Sequence, residues 1–336
     1  MGLQDGKSKG DKVLKVLLIN ADCEFNLAIR KMYTYYTKRG DIVMMQDLHL
    51  PGYPHKRTVA INGNVYDMVA ISNVFEVNAD KVIVEGCSDV RYGGIGSRNS
   101  LAQLPPEIEE CEPYYYHEED MSWGFITRGC VNKCYFCKVP THEGALREYR
   151  TVEQVVRHKK VRFLDNNILA YDKHMEVFQK LIDMGVRVDF NQGLDFRRAN
   201  DENMAMLARL KYIDRYIFAF DDWKYRPLWE EKIQIIKRHI PQDWKIRLYV
   251  YVNPAMPLSD TVNRIEWCRE HKCLPYIMRD AECYKSEHKD FYTDLAAYCN
   301  QPAFFKKMDF ETFLGKRHKN ADRIAESLRK WVMASE

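Results

Sequence analysis

A chain of 336 residues is long enough to bury a large core and to form two domains, or one domain with an extension. Its 51 basic residues against 48 acidic ones leave a formal charge of only +3, which excludes a global field that would recruit nucleic acid or an anionic membrane. No apolar run approaches the roughly 20 residues of a membrane span and the start lacks a hydrophobic signal core, so a cytoplasmic protein with its ten cysteines reduced is expected.

Residues 1–12 are polar and glycine-rich and read as a disordered leader. KVLLIN (15–20) reads as a buried parallel strand, and Phe25 to Arg39 as a helix ending at Gly40. DIVMMQDL and VYDMVAIS supply two more strands and VIVEGC a fourth, which together predict a small open α/β layer over residues 13–110. The run GGIGS (93–97) lacks the G-x-G-x-x-G spacing of a dinucleotide site and reads as a tight turn. Residues 101–122 are proline-rich, acidic and aromatic; 111–122 are expected to be a linker, with Tyr114, Tyr115 and Tyr116 packed onto the core.

The stretch TRGCVNKCYFCKVPTHEG (127–144) places Cys130, Cys134 and Cys137 at C-x3-C-x2-C spacing. Thiolates are the ligands of iron-sulfur clusters, and three of them leave one iron of a 4Fe-4S cube open to a small molecule. Three cysteines with His142 also compose a Cys3His zinc set, so a structural zinc site is the alternative at this point. The other seven cysteines are scattered and read as small buried hydrophobes; Cys268, Cys273 and Cys283 are the candidates for an auxiliary cluster.

From Trp123 a repeat begins. Strand-like runs WGFIT (123–127), VRFLD (161–165), VRVDF (186–190), RYIFAF (215–220), IRLYVYV (246–252) and LPYIM (274–278) alternate with helical patterns, among them DTVNRIEWCREH with Ser259 as its expected cap. Six β-α units over 123–280 predict a partial β/α barrel of TIM type, in which chemistry sits at the C-terminal ends of the strands. Those ends are polar: Asp165-Asn166-Asn167, Asn191-Gln192 with Asp195, Arg197 and Arg198, then Asp221-Asp222, Asn253, and Arg279-Asp280. One such cluster is a cap or a turn, but a ring of them predicts the wall of a polar cavity.

The cysteine spacing, with Phe136 before the last cysteine, resembles the signature of the radical S-adenosylmethionine (SAM) superfamily, and the barrel is the fold that this resemblance implies. In that family the open iron is chelated by the amino and carboxylate groups of SAM, and the reduced cluster cleaves SAM to methionine and a 5'-deoxyadenosyl radical that takes hydrogen from a substrate. The resemblance implies that Phe136 lies near the adenine. It also implies that Asp165, Asn166 or Asn167 accepts hydrogen bonds from the SAM ammonium, in place of the family's glycine-glycine-glutamate motif. Asn191, Gln192, Asp221, Arg197 or Arg198 would contact the ribose and carboxylate; a guanidinium suits a carboxylate through its paired donors. Asp195, Asp222 and Arg279 are the substrate candidates. An external one-electron reductant of flavodoxin or ferredoxin type is implied as a partner.

The N-terminal layer similarly resembles the Rossmann-like cobalamin-binding domain that accompanies many of these enzymes. Its first turn reads NADCEFNLAI, without the cobalt-ligating histidine of that family's D-x-H-x-x-G motif, so a degenerate domain without cobalamin is expected. Residues 281–336 are helical in pattern and predict an extension packed on the barrel, with Lys306, Lys307, Lys316 and Arg317 on a solvated face or against a polyanion.

The leading expectation is a radical SAM enzyme acting on a nucleic acid, a peptide or a small metabolite, with the first two favoured. A methyl- or methylthiotransferase is the alternative within enzymes. The missing histidine speaks against cobalamin-dependent methyl transfer, and the lack of a second three-cysteine set speaks against methylthiolation. Outside the enzymes stand a zinc-stabilised binding protein and a SAM-binding sensor.

Overall fold

The computed structural model describes residues 12–335, so the expected leader up to residue 11 lies outside the described residues. Two compact units emerge: one contains the chain up to Glu119 together with Phe136–His142, the other Asp120–Tyr135 and Glu143–Glu336. Among the described residues no helix is long and apolar enough to cross a membrane. The class is mixed α/β with mainly parallel pairing.

The first unit comprises β1 (Lys15–Asn20), α1 (Leu27–Lys38), β2 (Ile42–Asp47), β3 (Val59–Asn62), β4 (Met68–Ser72), β5 (Val82–Glu85), β6 (Val90–Gly93) and a single turn α2 (Pro106–Glu109). Its main sheet is parallel in the order β2-β1-β4-β6. The unbroken apolar run of β1 follows from its central place, since both faces are covered. Val16 and Leu18 meet Ile29, Met32 and Tyr36, while Leu17 and Ile19 meet Ile61 and Val82. Helix α1 begins at Asn26, whose side chain accepts from the Ile29 amide at 3.2 Å.

The expected fourth strand falls elsewhere. VIVEGC forms β5, which pairs with β3 in a separate two-stranded sheet, and β6 takes the fourth place of the main sheet. The glycines after β6 serve a close approach of backbone to backbone. Gly94 has φ 92°, and a Cβ there would collide with the Asn73 carbonyl. The three tyrosines do pack onto the core: Tyr114 lies on Tyr33, Tyr115 on Phe25, and Tyr116 beneath the Arg30 guanidinium. The buried Arg30 also grips Glu119 through two bonds of 3.0 and 2.9 Å.

The second unit comprises β7 (Met121–Gly124), β8 (Thr127–Arg128), a single turn α3 (Val139–His142, in the stretch that groups with the first unit), β9 (Arg147–Glu148), α4 (Val152–Val155) and β10 (Lys160–Phe163). It continues through α5 (His174–Met184), β11 (Arg187–Phe190), α6 (Asp201–Arg209), β12 (Lys211–Tyr212), β13 (Tyr216–Ala219), α7 (Arg226–His239), β14 (Ile246–Val252), α8 (Leu258–Glu270) and β15 (Leu274–Arg279). One parallel sheet runs β12-β11-β10-β7 and another β13-β14-β15. They are linked by the bridge Leu194↔Phe218, where the Leu194 amide donates to the Ile217 carbonyl at 2.7 Å.

Alternate strand residues, Val161, Phe163, Val188, Phe190, Phe218, Leu248 and Val250, enter the large buried core with Phe178, Leu207, Ile233 and Ile265 of the helices. Several intervening positions are polar or aromatic. Trp123, Arg162 and Asp189 stand in register across three strands, Arg162 donating to Asp189 at 2.7 Å and lying over the Trp123 ring. Two expectations are corrected here. The first strand ends at Gly124, because the Ile126 and Thr127 amides turn to a side chain, as described below. Ser259 lies inside the first turn of α8, whose preceding residue is Pro257.

The C-terminal helices are α9 (Lys289–Cys299), α10 (Pro302–Lys307), α11 (Phe310–Arg317) and α12 (Ala321–Ser335). The pattern AFFKKMDFETFLGKR breaks into α10 and α11 because Asp309 caps the Thr312 amide at 2.7 Å. The fully buried Asp294 of α9 accepts from Arg317, His318 and Arg323 at 3.1, 2.7 and 3.2 Å. Arg317 is therefore tied to α9 through its Nε. Cys268, Cys273, Cys283 and Cys299 are buried in the core, and among the described residues no three metal-ligating side chains, these cysteines included, are gathered into one group. Burial pushes the thiols of Cys273 and Cys283 up to about 12, which is the state of inert structural cysteines.

Candidate functional site

The cysteine loop is closed at its base by the antiparallel pair β8–β9, which brings Thr127 opposite Glu148. Two carboxylates brace this base. Asp165, directly after β10, is buried and accepts from the Ile126 amide at 3.2 and 3.1 Å, the Thr127 amide at 2.6 Å and the Thr127 hydroxyl at 2.7 Å. Burial raises its carboxyl to about 6, against the lowering effect of these donors. Glu143, which the sequence pattern did not single out, accepts from Arg128 Nε, the Gly129 amide and Asn166 Nδ2, each at 2.9 Å. Gly129 has φ 80° and runs so close to the Ala145 backbone that no side chain fits. The Cys130 amide then donates to the Gly144 carbonyl at 3.2 Å.

A second network reaches the Cys130 sulfur. The Asn132 amide donates to it at 3.4 Å and Asn167 Nδ2 approaches at 3.8 Å. Both asparagine side chains also donate to the same oxygen, Asp195 Oδ2, each at 2.9 Å. Arg197 completes the arrangement with Nε on Asp195 Oδ1 at 2.6 Å and a terminal nitrogen on Oδ2 at 3.0 Å. Burial by itself would raise the Asp195 carboxyl, but the bonds from Arg197, Asn132 and Asn167 outweigh it and hold it below the ordinary value. The side-chain Oδ1 of Asn167 is buried and has no hydrogen-bond partner among the described residues, although its residue is only 2% exposed.

The three motif cysteines are half-buried. Cys130 and Cys134 belong to the second unit, and Phe136 and Cys137 to the stretch that groups with the first. Among the described residues no three His, Cys, Asp or Glu side chains are gathered into a metal-binding group. His142 Nδ1 lies 2.9 Å from the Lys138 carbonyl.

At the remaining strand ends the predicted residues take several kinds of place. Asn191 is half-buried and its carbonyl accepts from the Tyr249 hydroxyl at 2.9 Å, while Gln192 is exposed. Asp222 caps the Lys224 amide at 2.9 Å and pairs with its ammonium at 2.6 Å. Arg279 reaches Thr293 at 3.3 Å and lies over the Tyr284 ring. Arg198, 3.9 Å from Asp195, is largely exposed. Sequence reasoning missed Arg264, a fully buried guanidinium of α8, which donates to the carbonyls of Phe220 at 2.7 Å and Tyr251 at 2.9 Å. It also missed Tyr251, whose hydroxyl donates to Asp280 at 2.7 Å and whose ring meets that of Tyr135 edge to face.

Burial pushes the Asp221 carboxyl up to about 6, against the lowering pull of Arg264 and Arg197. The folded protein thus holds this proton more tightly than the unfolded chain. Its stabilising effect is complete below the unfolded value of about 3.9 and is lost as pH rises through about 6. Relative to Asp221→Asn, which does not titrate, the wild type is expected to lose stability between about pH 4 and 6 and to run parallel above pH 7. Thermal unfolding of both proteins across that range measures this, and parallel curves throughout would refute it.

No family model matches the chain. It is 26% identical over 178 residues to the tRNA-2-methylthio-N(6)-dimethylallyladenosine synthase of Sulfurihydrogenibium sp. (strain YO3AOP1), covering 43% of this chain and 41% of that protein. It is 31% identical over 105 residues to the ribosomal protein uS12 methylthiotransferase RimO of Solibacter usitatus (strain Ellin6076), covering 23% of this chain and 22% of that protein. The chain therefore spans less than half the length of the curated relatives it matches. Among solved structures it is similar to the cobalamin-dependent S-adenosylmethionine radical enzyme OxsB with aqua-cobalamin and S-adenosylmethionine bound, at a TM-score of 0.42 and 12% identity, covering 90% of this chain and 58% of that chain. The curated relatives are radical SAM methylthiotransferases, and the resemblance drawn from the cysteine loop is borne out: the chain is a relative of the radical SAM proteins.

Proposed function

We propose that this chain is a radical SAM enzyme in which Cys130, Cys134 and Cys137 hold a 4Fe-4S cluster at the strand ends of a partial six-stranded β/α barrel. The observation that carries this reading is the Cys130 loop. Its sulfur meets two N–H donors, and beside it stands the buried Asn167 oxygen without a partner among the described residues. Soft thiolates suit iron, and N–H donors stabilise their charge. With SAM bound, the cluster supplies a 5'-deoxyadenosyl radical that removes hydrogen from the substrate.

The chain's own residues divide the remaining work. Of the three candidates after β10, Asp165 is turned onto the loop base and Asn166 is tied to Glu143, whereas Asn167 has an oxygen to offer. Asn167 is therefore the acceptor assigned to the SAM ammonium. Phe136, Asn191, Gln192 and Asp221 remain assigned to adenine and ribose, and Arg197 to the carboxylate end. Asp222 and Arg279 remain assigned to substrate, while Asp195 leaves that group because its oxygens already serve Asn132, Asn167 and Arg197. An external flavodoxin- or ferredoxin-like donor supplies the electron. The substrate class is a nucleic acid or a peptide, which accords with a tRNA adenosine and a ribosomal protein in the relatives' names. Cobalamin forms no part of the proposal. The Asp22 carboxylate in the first turn is spent on the Val74 and Phe75 amides and on Asn78.

Methylthiotransfer is the second reading, favoured by both curated relatives. Protein purified and reconstituted without oxygen is expected to contain iron and sulfide and to form 5'-deoxyadenosine from SAM with a strong reductant. A Cys130/Cys134/Cys137 triple alanine variant is expected to lose both. Stoichiometric zinc without a cluster would overturn the enzyme reading, and transfer of a sulfur-bearing methyl group to a substrate would establish the second.

A further inference from the structure

We infer that Asp195 is a positioning residue that, through Asn167 and Asn132, sets the reduction potential of the cluster bound at Cys130. The inference rests on the cluster reading proposed above. An amide –NH2 has two protons, and those of Asn167 are divided between Asp195 Oδ2 at 2.9 Å and the Cys130 sulfur at 3.8 Å. Asn132 repeats the device within the loop. Its side chain is held by the same carboxylate oxygen at 2.9 Å while its backbone amide points at the same sulfur at 3.4 Å.

One carboxylate oxygen thus orients both donors on one thiolate. The carboxylate is itself fixed, since Asp195 is only 8% exposed and Arg197 clasps both of its oxygens. The direction of the effect follows from charge. Reduction adds an electron to the cluster and its thiolates, and an N–H aimed at sulfur stabilises the more negative state. Loss of a donor therefore makes the cluster harder to reduce. The bonds of Asp195 go to Asn132, Asn167 and Arg197, so it acts by aiming the two amides and is distinct from a ligand. The same bonds restrict rotation of Asn167, which leaves its oxygen facing away from Asp195, as the SAM assignment requires.

The test is a redox titration, followed by electron paramagnetic resonance, of the reconstituted full chain without SAM, so that SAM binding cannot contribute. Wild type is compared with Asp195→Glu, which keeps the charge but displaces the oxygen that aims the two amides, and with Asn167→Ala and Asn132→Ala, with iron and sulfide measured for each. The expected result is a more negative midpoint potential in all three variants at wild-type iron content. An unchanged potential at unchanged iron content would overturn the inference while leaving the cluster reading intact. Loss of iron in all three variants would also overturn it, by reducing Asp195 to a structural brace. A wild type that takes up no iron would overturn the cluster reading and this inference together.

Discussion

Replacing Asp165 by alanine is expected to lower the apparent stability of the second unit by about 3–5 kcal/mol and to cut the iron content of the reconstituted protein. The carboxylate is the acceptor for the Ile126 amide, the Thr127 amide and the Thr127 hydroxyl, all within a buried region. Orphaning a buried donor costs about 1–3 kcal/mol, and alanine would orphan three at once. The segment they belong to enters the cysteine loop, so its loosening reaches Cys130 directly. Asp165→Asn keeps a carbonyl oxygen at the same place and removes a carboxyl that burial already raises to about 6. It is expected to retain most of the stability and the iron. Denaturant unfolding of the metal-free proteins together with iron analysis after reconstitution measures both effects. Wild-type iron content in the alanine variant would show that the loop holds its shape without this brace.

Exchange of Arg264 for methionine is expected to cost a similar amount, about 3–5 kcal/mol, because it removes one partner of a buried charge pair. The guanidinium is wholly inaccessible; it pairs with Asp260 at 2.5 Å and ties the carbonyls of Phe220 and Tyr251 together. These carbonyls lie at the ends of β13 and β14, so the same group that satisfies them fixes the spacing of two neighbouring strand ends. Methionine removes the buried donor from both carbonyls and leaves the Asp260 carboxylate without its counter-charge. Asp260 also holds the Trp223 amide at 2.7 Å, and faster hydrogen exchange at Trp223 is the local signature to look for. Arg264→Lys, with a single charged head in place of a planar fork, is expected to fall between the two. A variant that unfolds at the wild-type denaturant concentration would show that the network contributes nothing net.

The local readings that held were those with strong periodicity or strong chemistry. KVLLIN is a central strand because nothing in it is polar enough to face water, and Gly185 ends α5 at φ 64° where the helical pattern stops. The readings that failed did so where a partner distant in sequence decided the outcome. VIVEGC has the composition of a main-sheet strand, yet β6 occupies that edge and β5 pairs with β3 instead. WGFIT looks like one strand, but the carboxylate of Asp165 draws its last two amides out of the ladder.

The same division runs through the site. Three cysteines at C-x3-C-x2-C spacing announce soft-metal chemistry in the sequence alone, because ligand type and spacing on one loop are local properties. Polar residues after each strand run are legible for the same reason, since the alternation of strand and helix is written into the period of the apolar residues. The division of labour among those residues is not local. Asp165, Asn166 and Asn167 are adjacent and chemically alike, and only folding turns the first toward Thr127, the second toward Glu143 and the third toward Cys130 and Asp195. Asp195 reads as a free carboxylate in the sequence, whereas in the structure each oxygen is taken. A hydrogen bond needs two groups within about 3 Å, and that distance between residues 28 or 63 positions apart is set by the packing of strands, which no stretch of sequence contains by itself.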